Sequence, residues 1–237
     1  MSTMKALTQP RRRRLGTLDI IEFPAAADSP VIVCCHGYGA DAADVAPIAM
    51  ELDLPRSARW VFPDGPLRLP GAYGPGGRAW FPIDQERLAR IQMGGEPAPF
   101  ADVKPPGLEE AVQDGLALIE ALESPWDRLV LGGFSQGAML ALELTLRGPS
   151  APRGLFLLSG NLVDEVSVRQ LAPARAGLPF FQSHGTEDPI LAYEGAKGLE
   201  EVLTGAGLKG SLLTFEGGHA IPRDVLEAFE SFLAGLF

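Results

Sequence analysis

Cysteine is nearly absent: there are two among 237 residues, and they are neighbours, Cys34 and Cys35. Adjacent side chains of a strand leave by opposite faces, so a bridge between these two is not expected and a disulfide-stapled fold is excluded. Long apolar runs are missing too, none approaching the roughly 18 residues that a membrane-crossing helix needs. Positive charge is also short. Against 30 Asp and Glu stand 20 Lys and Arg, a net charge of −10, which disfavours binding driven by phosphate neutralisation along a nucleic acid. The only histidines are His36, His184 and His219, so the choice of an imidazole base is narrow.

The one dense basic run, Arg11 to Arg14, reads as part of a solvated, flexible N-terminal arm over residues 1–16. A twin-arginine export signal would continue into an apolar stretch, but Gly16 and Asp19 break up the residues after the arginines. With no secretory or lipid-anchoring signal evident, the expected location is cytoplasmic, with no nucleic-acid partner and no stable membrane insertion. A homodimer is left open.

The chain is 46% hydrophobic and 21% charged, the proportions of a globular protein, and residues 17–237 suffice for a single domain. A short strand of edge type is expected at 18–23, ending at Pro24. The continuous apolar run 30–35 reads as a central strand buried on both faces. A helix is expected over 44–52 and a strand over 60–63. Residues 64–106 are rich in Pro and Gly, with a short helical candidate at 83–93. A loop-like insertion of that length in a compact domain is usually functional or disordered.

Helical spacing returns over 107–123. Strands at 126–132, 154–159, 179–184 and 210–215 then alternate with helices at 136–147, 193–204 and 220–236. This alternation predicts a mostly parallel central sheet with helices on both faces. In such sheets chemistry collects at the carboxyl ends of the strands. His36, Ser135, Asn161, Asp188 and His219 all stand just past such ends.

Gly133-Phe134-Ser135-Gln136-Gly137 lies between an apolar strand and a helix-forming stretch, the setting in which Gly-x-Ser-x-Gly becomes a nucleophile elbow. With 28 Gly present, chance alone yields about 0.15 such matches in a chain of this composition, so the motif needs partners. A serine hydroxyl is a poor nucleophile at neutral pH. It needs an adjacent base, and an acid must hold that imidazole in one tautomer.

His219 follows the last strand on a Gly-rich connection and suits the base, which protonation would silence in acid. Asp188 lies between Ser135 and His219 in a turn after a strand, matching the Ser, acid, His order of α/β-hydrolases. Asp164 is the alternative acid, and Glu187 would point elsewhere. The oxyanion donors of that fold are backbone N–H groups, here of Gln136 and, in the turn after the first central strand, Tyr38. His36 itself reads as a packed histidine in a tight turn.

Cys35-His36-Gly37-Tyr38-Gly39, the Ser135 elbow, His184-Gly185-Thr186-Glu187-Asp188-Pro189 and Gly218-His219 together resemble the phospholipase/carboxylesterase family, which includes the acyl-protein thioesterases. Phe62-Pro63-Asp64-Gly65-Pro66 and Ala79-Trp80-Phe81 are similar to its intermediate landmarks. The resemblance spans about residues 32–225. It implies an α/β-hydrolase fold and a serine hydrolase of short- to medium-chain carboxylic esters, in some members thioesters or lysophospholipids, with no cofactor or metal.

Tyr38 stands where the thioesterases usually carry Leu, which is closer to bacterial carboxylesterase members. Ala138 replaces a frequent second Gly, and Thr186-Glu187 replaces a more usual pair. The expected activity is therefore a carboxylesterase with a small-molecule ester substrate, working through Ser135, His219 and Asp188 and an acyl-enzyme. Trp80, Phe81 and Ile190 are expected to contact the acyl group. The alternatives are an acyl-protein thioesterase or lysophospholipase with the same residues, or a binding protein on the same fold.

Overall fold

The structure is a computed structural model that describes residues 9–55, 57–74, 76–84, 86, 93, 101 and 104–237. Its centre is the apolar strand β3 (Val31–Cys35), which is buried throughout. Val31, Val33 and Cys35 face one apolar cluster while Ile32 and Cys34 face another. The two free cysteines therefore point to opposite sides of the sheet, as the spacing predicts. Burial pushes the Cys35 thiol up to about 12 and raises Cys34 as well, which leaves both as inert packing groups.

Around β3 lie β1 (Arg11–Leu15), β2 (Leu18–Phe23), β4 (Arg59–Pro63), β7 (Leu129–Phe134), β8 (Gly154–Leu158), β9 (Pro179–Gly185) and β10 (Lys209–Phe215). They form one eight-stranded sheet in the order β1-β2-β4-β3-β7-β8-β9-β10. From β4 to β10 every neighbouring pair is parallel, while β1/β2 and β2/β4 are antiparallel. A small separate hairpin joins β5 (Leu67–Arg68) to β6 (Arg78–Ala79).

Helices cover both faces. On one lie α3 (Leu108–Ala121) and α4 (Gln136–Arg147), whose Leu108, Val112, Leu118, Leu140 and Leu144 pack on Val31, Val33 and Leu131. Beyond α4, the helices α5 (Glu165–Leu171) and α6 (Tyr193–Gly205) pack Val168, Leu199 and Val202 against Leu155 and Phe180. On the other face α7 (Arg223–Leu236) lays Val225, Phe229 and Leu233 over Phe156, Phe181 and Ile32. Helix α4 is buried from Gln136 through Leu146, so the helix that leaves the elbow is held from every side.

Three expectations change. Residues 11–15 are not part of a flexible arm: Arg11 to Leu15 pair in register with Glu22 to Leu18. Residues 18–23 are consequently not an edge, since β1 covers one side and β4 the other. The helix expected over 44–52 is two single turns, α1 (Ala42–Val45) and α2 (Ile48–Glu51). Pro47 separates them, because its ring cannot continue the hydrogen-bond ladder of the turn before it. Of the insertion, the helical candidate at 83–93 falls mostly outside the described residues. No helix among the described residues is long and apolar enough to cross a membrane.

Candidate active site

The elbow forms because β7 and α4 meet at a single residue. Ser135 holds φ 56° and ψ −120°, a left-handed conformation that costs a non-glycine residue about 1–3 kcal/mol and persists only where its surroundings enforce it. The enforcement is visible on both sides. Ser135 N–H donates to Leu158 O at 2.8 Å, and its own carbonyl accepts from Ala138 and Met139. A Cβ added at Gly133 would lie 2.4 Å from Cys35 O, and one at Gly137 would lie 2.2 Å from the same oxygen. Only glycine lets β7, α4 and β3 approach this closely. The Ser135 side chain does not cap its helix, so the hydroxyl is not spent on α4, and the residue is 9% exposed.

The three histidines have different surroundings. His36 is fully buried, with Nε2 accepting from the Gly65 N–H at 2.8 Å and Nδ1 2.7 Å from Gly37 O. Its proton therefore sits on Nδ1, both nitrogens are occupied, and burial lowers its pKa. His219, by contrast, keeps a partly exposed ring, with Nδ1 2.6 Å from Asp188 Oδ2. That ring packs on Phe134, the residue before the elbow serine, with centroids 4.7 Å apart.

Asp188 is buried, and its carboxylate is fully engaged. Oδ1 accepts the N–H groups of Ile190 at 2.8 Å and Leu191 at 2.9 Å, and Oδ2 faces His219. Burial alone would raise its pKa, but the His219 bond and charge and these backbone donors outweigh that and hold it below the usual carboxylate range. The other acids are used elsewhere. Asp164 caps α5, accepting from Ser167 N at 3.4 Å and Ser167 Oγ at 2.8 Å, and Glu187 is exposed. Asn161 bonds Ala192 O and Leu162 N, so it ties two loops together.

The turn before Tyr38 lies against the elbow, a Cβ added at Gly37 meeting Ser135 Cβ at 3.2 Å. The turn carrying Tyr38 is zipped to β6, with Gly39 N–H on Arg78 O at 2.8 Å and Arg78 N–H on Ala40 O at 3.0 Å. Tyr38 and Tyr73 meet edge to face at 5.5 Å. Gln136 is the first residue of α4, where backbone N–H groups have no partner within the helix. Trp80 and Phe81 are each 2% exposed, so their rings are packed in the core and not open to solvent. They share one apolar cluster with Met139, Val163 and Leu191, and half-buried Ile190 packs against it.

Two residues have roles that sequence reasoning did not assign. The Gln136 side chain accepts from Trp80 N at 2.9 Å and donates to Phe81 O at 2.7 Å, clasping this part of the insertion onto the elbow. His184, fully buried, brings Nε2 to 3.0 Å from Leu191 O and 3.3 Å from Asp188 Oδ2. Burial lowers its pKa, and the Nε2–H that it donates to Leu191 O lies beside the same carboxylate oxygen that His219 faces. Its place in His-Gly-x-x-Asp was a signal for this, since residues i and i+4 around a tight turn can meet.

Among known proteins, the sequence model of the family described as Phospholipase/Carboxylesterase matches residues 17–236. Acyl-protein thioesterase 1 of Eremothecium gossypii is 28% identical over 187 residues, covering 75% of this chain and 74% of that protein. Acyl-protein thioesterase 1 of Kluyveromyces lactis is 31% identical over 169 residues, covering 68% and 70% respectively. The crystal structure of esterase PE8 superposes with a TM-score of 0.73 at 26% identity, covering 91% of this chain and 97% of that one. With its match running from β2 to the last helix, and with this strand order and this elbow, the chain belongs to the phospholipase/carboxylesterase family of α/β-hydrolase-fold hydrolases.

Proposed function

We propose that the protein is a serine hydrolase of carboxylic esters with short to medium acyl chains, in which Ser135 is the nucleophile, His219 the base and Asp188 the acid that orients it. The 2.6 Å bond from His219 to a buried, fully hydrogen-bonded Asp188 carries this reading. It fixes the proton on Nδ1 and leaves Nε2 as the basic nitrogen of a ring packed beside the elbow.

His219 Nε2 takes the proton of Ser135 Oγ as that oxygen bonds to the ester carbonyl carbon. The carbonyl oxygen becomes an oxyanion held by the N–H groups of Gln136 and Tyr38. The tetrahedral centre collapses, the C–O bond to the alcohol breaks, and the departing oxygen takes the proton from His219. Water, deprotonated by the same nitrogen, then attacks the acyl-enzyme; as the bond to Ser135 Oγ breaks, His219 returns that proton to the serine and the acid leaves. Residues Trp80 and Phe81 support the apolar wall beside the acyl group, and Ile190 forms its rim.

The second reading, an acyl-protein thioesterase using the same residues, is favoured by the names of the curated relatives. Rates on p-nitrophenyl esters and on S-acyl substrates of matched chain length separate the two. In the same panel Ser135→Ala loses hydrolysis of both classes, on the order of 10⁴-fold or more; unchanged p-nitrophenyl butyrate hydrolysis in that variant contradicts the proposal.

A further inference from the structure

We infer that the Arg11, Arg13, Arg59 and Arg128 cleft, at the end of the sheet opposite the candidate active site, binds a small molecule through a phosphate or diphosphate group. The cleft has a volume of about 440 Å³, within the range of small-molecule sites. It opens where β3 and β4 begin and where the chain leaves α3 towards β7. Four guanidinium groups line it against two carboxylates, Glu22 and Glu123. That leaves an excess of two positive charges at one place on a chain whose net charge is −10. A phosphate dianion balances that excess.

The arginines are positioned, not merely crowded. Glu22 is buried and accepts Arg13 Nε on Oε2 at 2.7 Å and Arg59 Nε on Oε1 at 2.5 Å. Burial would raise the Glu22 pKa, but the two arginines outweigh it and keep the carboxylate ionised. Arg59 is further fixed by Nη1 on Leu122 O at 3.3 Å. One buried acid thus holds two guanidinium planes apart, with further N–H groups on each fork beyond those bonds.

Arg11 sits directly across from Glu22 in the β1/β2 register, and Arg128 is half-buried on the far wall. Among the described residues neither has an ion-pair partner. Guanidinium forks match phosphate oxygens in geometry as well as charge. Glu123, on the rim, keeps φ 52°, a left-handed position usually given to glycine at a helix end. Since the strand alternates, Arg12 and Arg14 leave by the other face and do not line the cleft.

The test is calorimetric titration of the purified full chain with pyrophosphate, with citrate and phosphatidylglycerol vesicles as separate arms. Wild type is expected to bind one pyrophosphate saturably. The Arg11→Ala/Arg128→Ala pair should weaken it about tenfold or more. Arg11→Glu alone, at an exposed strand position, should give a loss in the same direction. The Arg12→Ala/Arg14→Ala pair removes the same charge from the opposite face and should change binding less than about twofold. Absence of saturable binding, equal losses in the two pairs, or binding of citrate or vesicles without pyrophosphate overturns the inference. The readout is independent of hydrolytic activity, so its outcome is distinct from that of the proposed function.

Discussion

His219 Nδ1 stands 2.6 Å from Asp188 Oδ2, and the carboxylate that receives it is already held by two backbone N–H groups on its other oxygen. Asp188 cannot turn without breaking those bonds, so the orientation of the imidazole is inherited from the 188–191 turn. Replacing Asp188 by Asn should therefore lower kcat by about 10⁴, through the wrong tautomer of His219, with little change in KM. Steady-state kinetics on a p-nitrophenyl ester measures it. The same substitution should flatten part of the acid limb of stability. The folded-state pKa of Asp188 is depressed, so its contribution is complete above the ordinary carboxylate range and drains away as pH falls through the lower folded value.

His184 reaches the same oxygen from the buried side, at 3.3 Å. If it steadies Asp188, His184→Phe should lower kcat by about tenfold while leaving KM in place, and His184→Gln, which keeps an N–H donor, should recover part of the loss. In an Asp188→Asn background the His184 substitutions should add no further loss of kcat. Multiplicative losses would mark His184 as a packing residue only.

Gln136 clasps Trp80 and Phe81 with both ends of its amide. Gln136→Ala leaves a buried N–H and a buried carbonyl without partners and should cost roughly 2–4 kcal/mol by the usual penalty per orphaned group. Denaturant unfolding should show the midpoint shift. Gln136→Glu keeps an acceptor for Trp80 but, when ionised, sets a buried carboxylate oxygen against the Phe81 carbonyl, so its midpoint should fall below wild type and recover as pH is lowered and the acid gains an O–H donor.

Glu143 is fully buried on α4, with Oε2 on Arg147 Nε at 2.6 Å and Oε1 without a partner among the described residues. Burial raises its pKa despite Arg147. A raised carboxylate favours the fold while protonated, and that contribution is lost as pH rises through the folded value. Melting temperatures of wild type and Glu143→Gln, followed from about pH 4 to about pH 8, should diverge as pH rises, with the variant gaining relative to wild type.

The central strands were readable because both of their faces are apolar, so runs such as Val31 to Cys35 need no partner to be recognised. Strand β1 was not readable: Arg11 to Arg14 have no apolar side, and their extended form comes from pairing with Leu18 to Glu22. Ser135, Asp188 and His219 were nameable because the chemistry restricts residue type and chain order. The side-chain tasks of Gln136 and His184 were hidden because their partners include the backbone groups of Trp80, Phe81 and Leu191, and a backbone group leaves no mark in a sequence. Trp80 and Phe81 show the converse. Aromatic residues in a Pro- and Gly-rich insertion read as substrate contacts, yet their rings are enclosed by the core.

The central claim is that Ser135 is an activated nucleophile. The measurement that tests it most directly is treatment of the native protein with a fluorophosphonate, followed by peptide mass spectrometry and a parallel assay of ester hydrolysis. Stoichiometric modification of the peptide at Ser135, with matching loss of hydrolysis and much slower labelling of Asp188→Asn, is the predicted result. Hydrolysis that survives full modification of Ser135, or label carried by a different serine while Ser135 stays free, would contradict it.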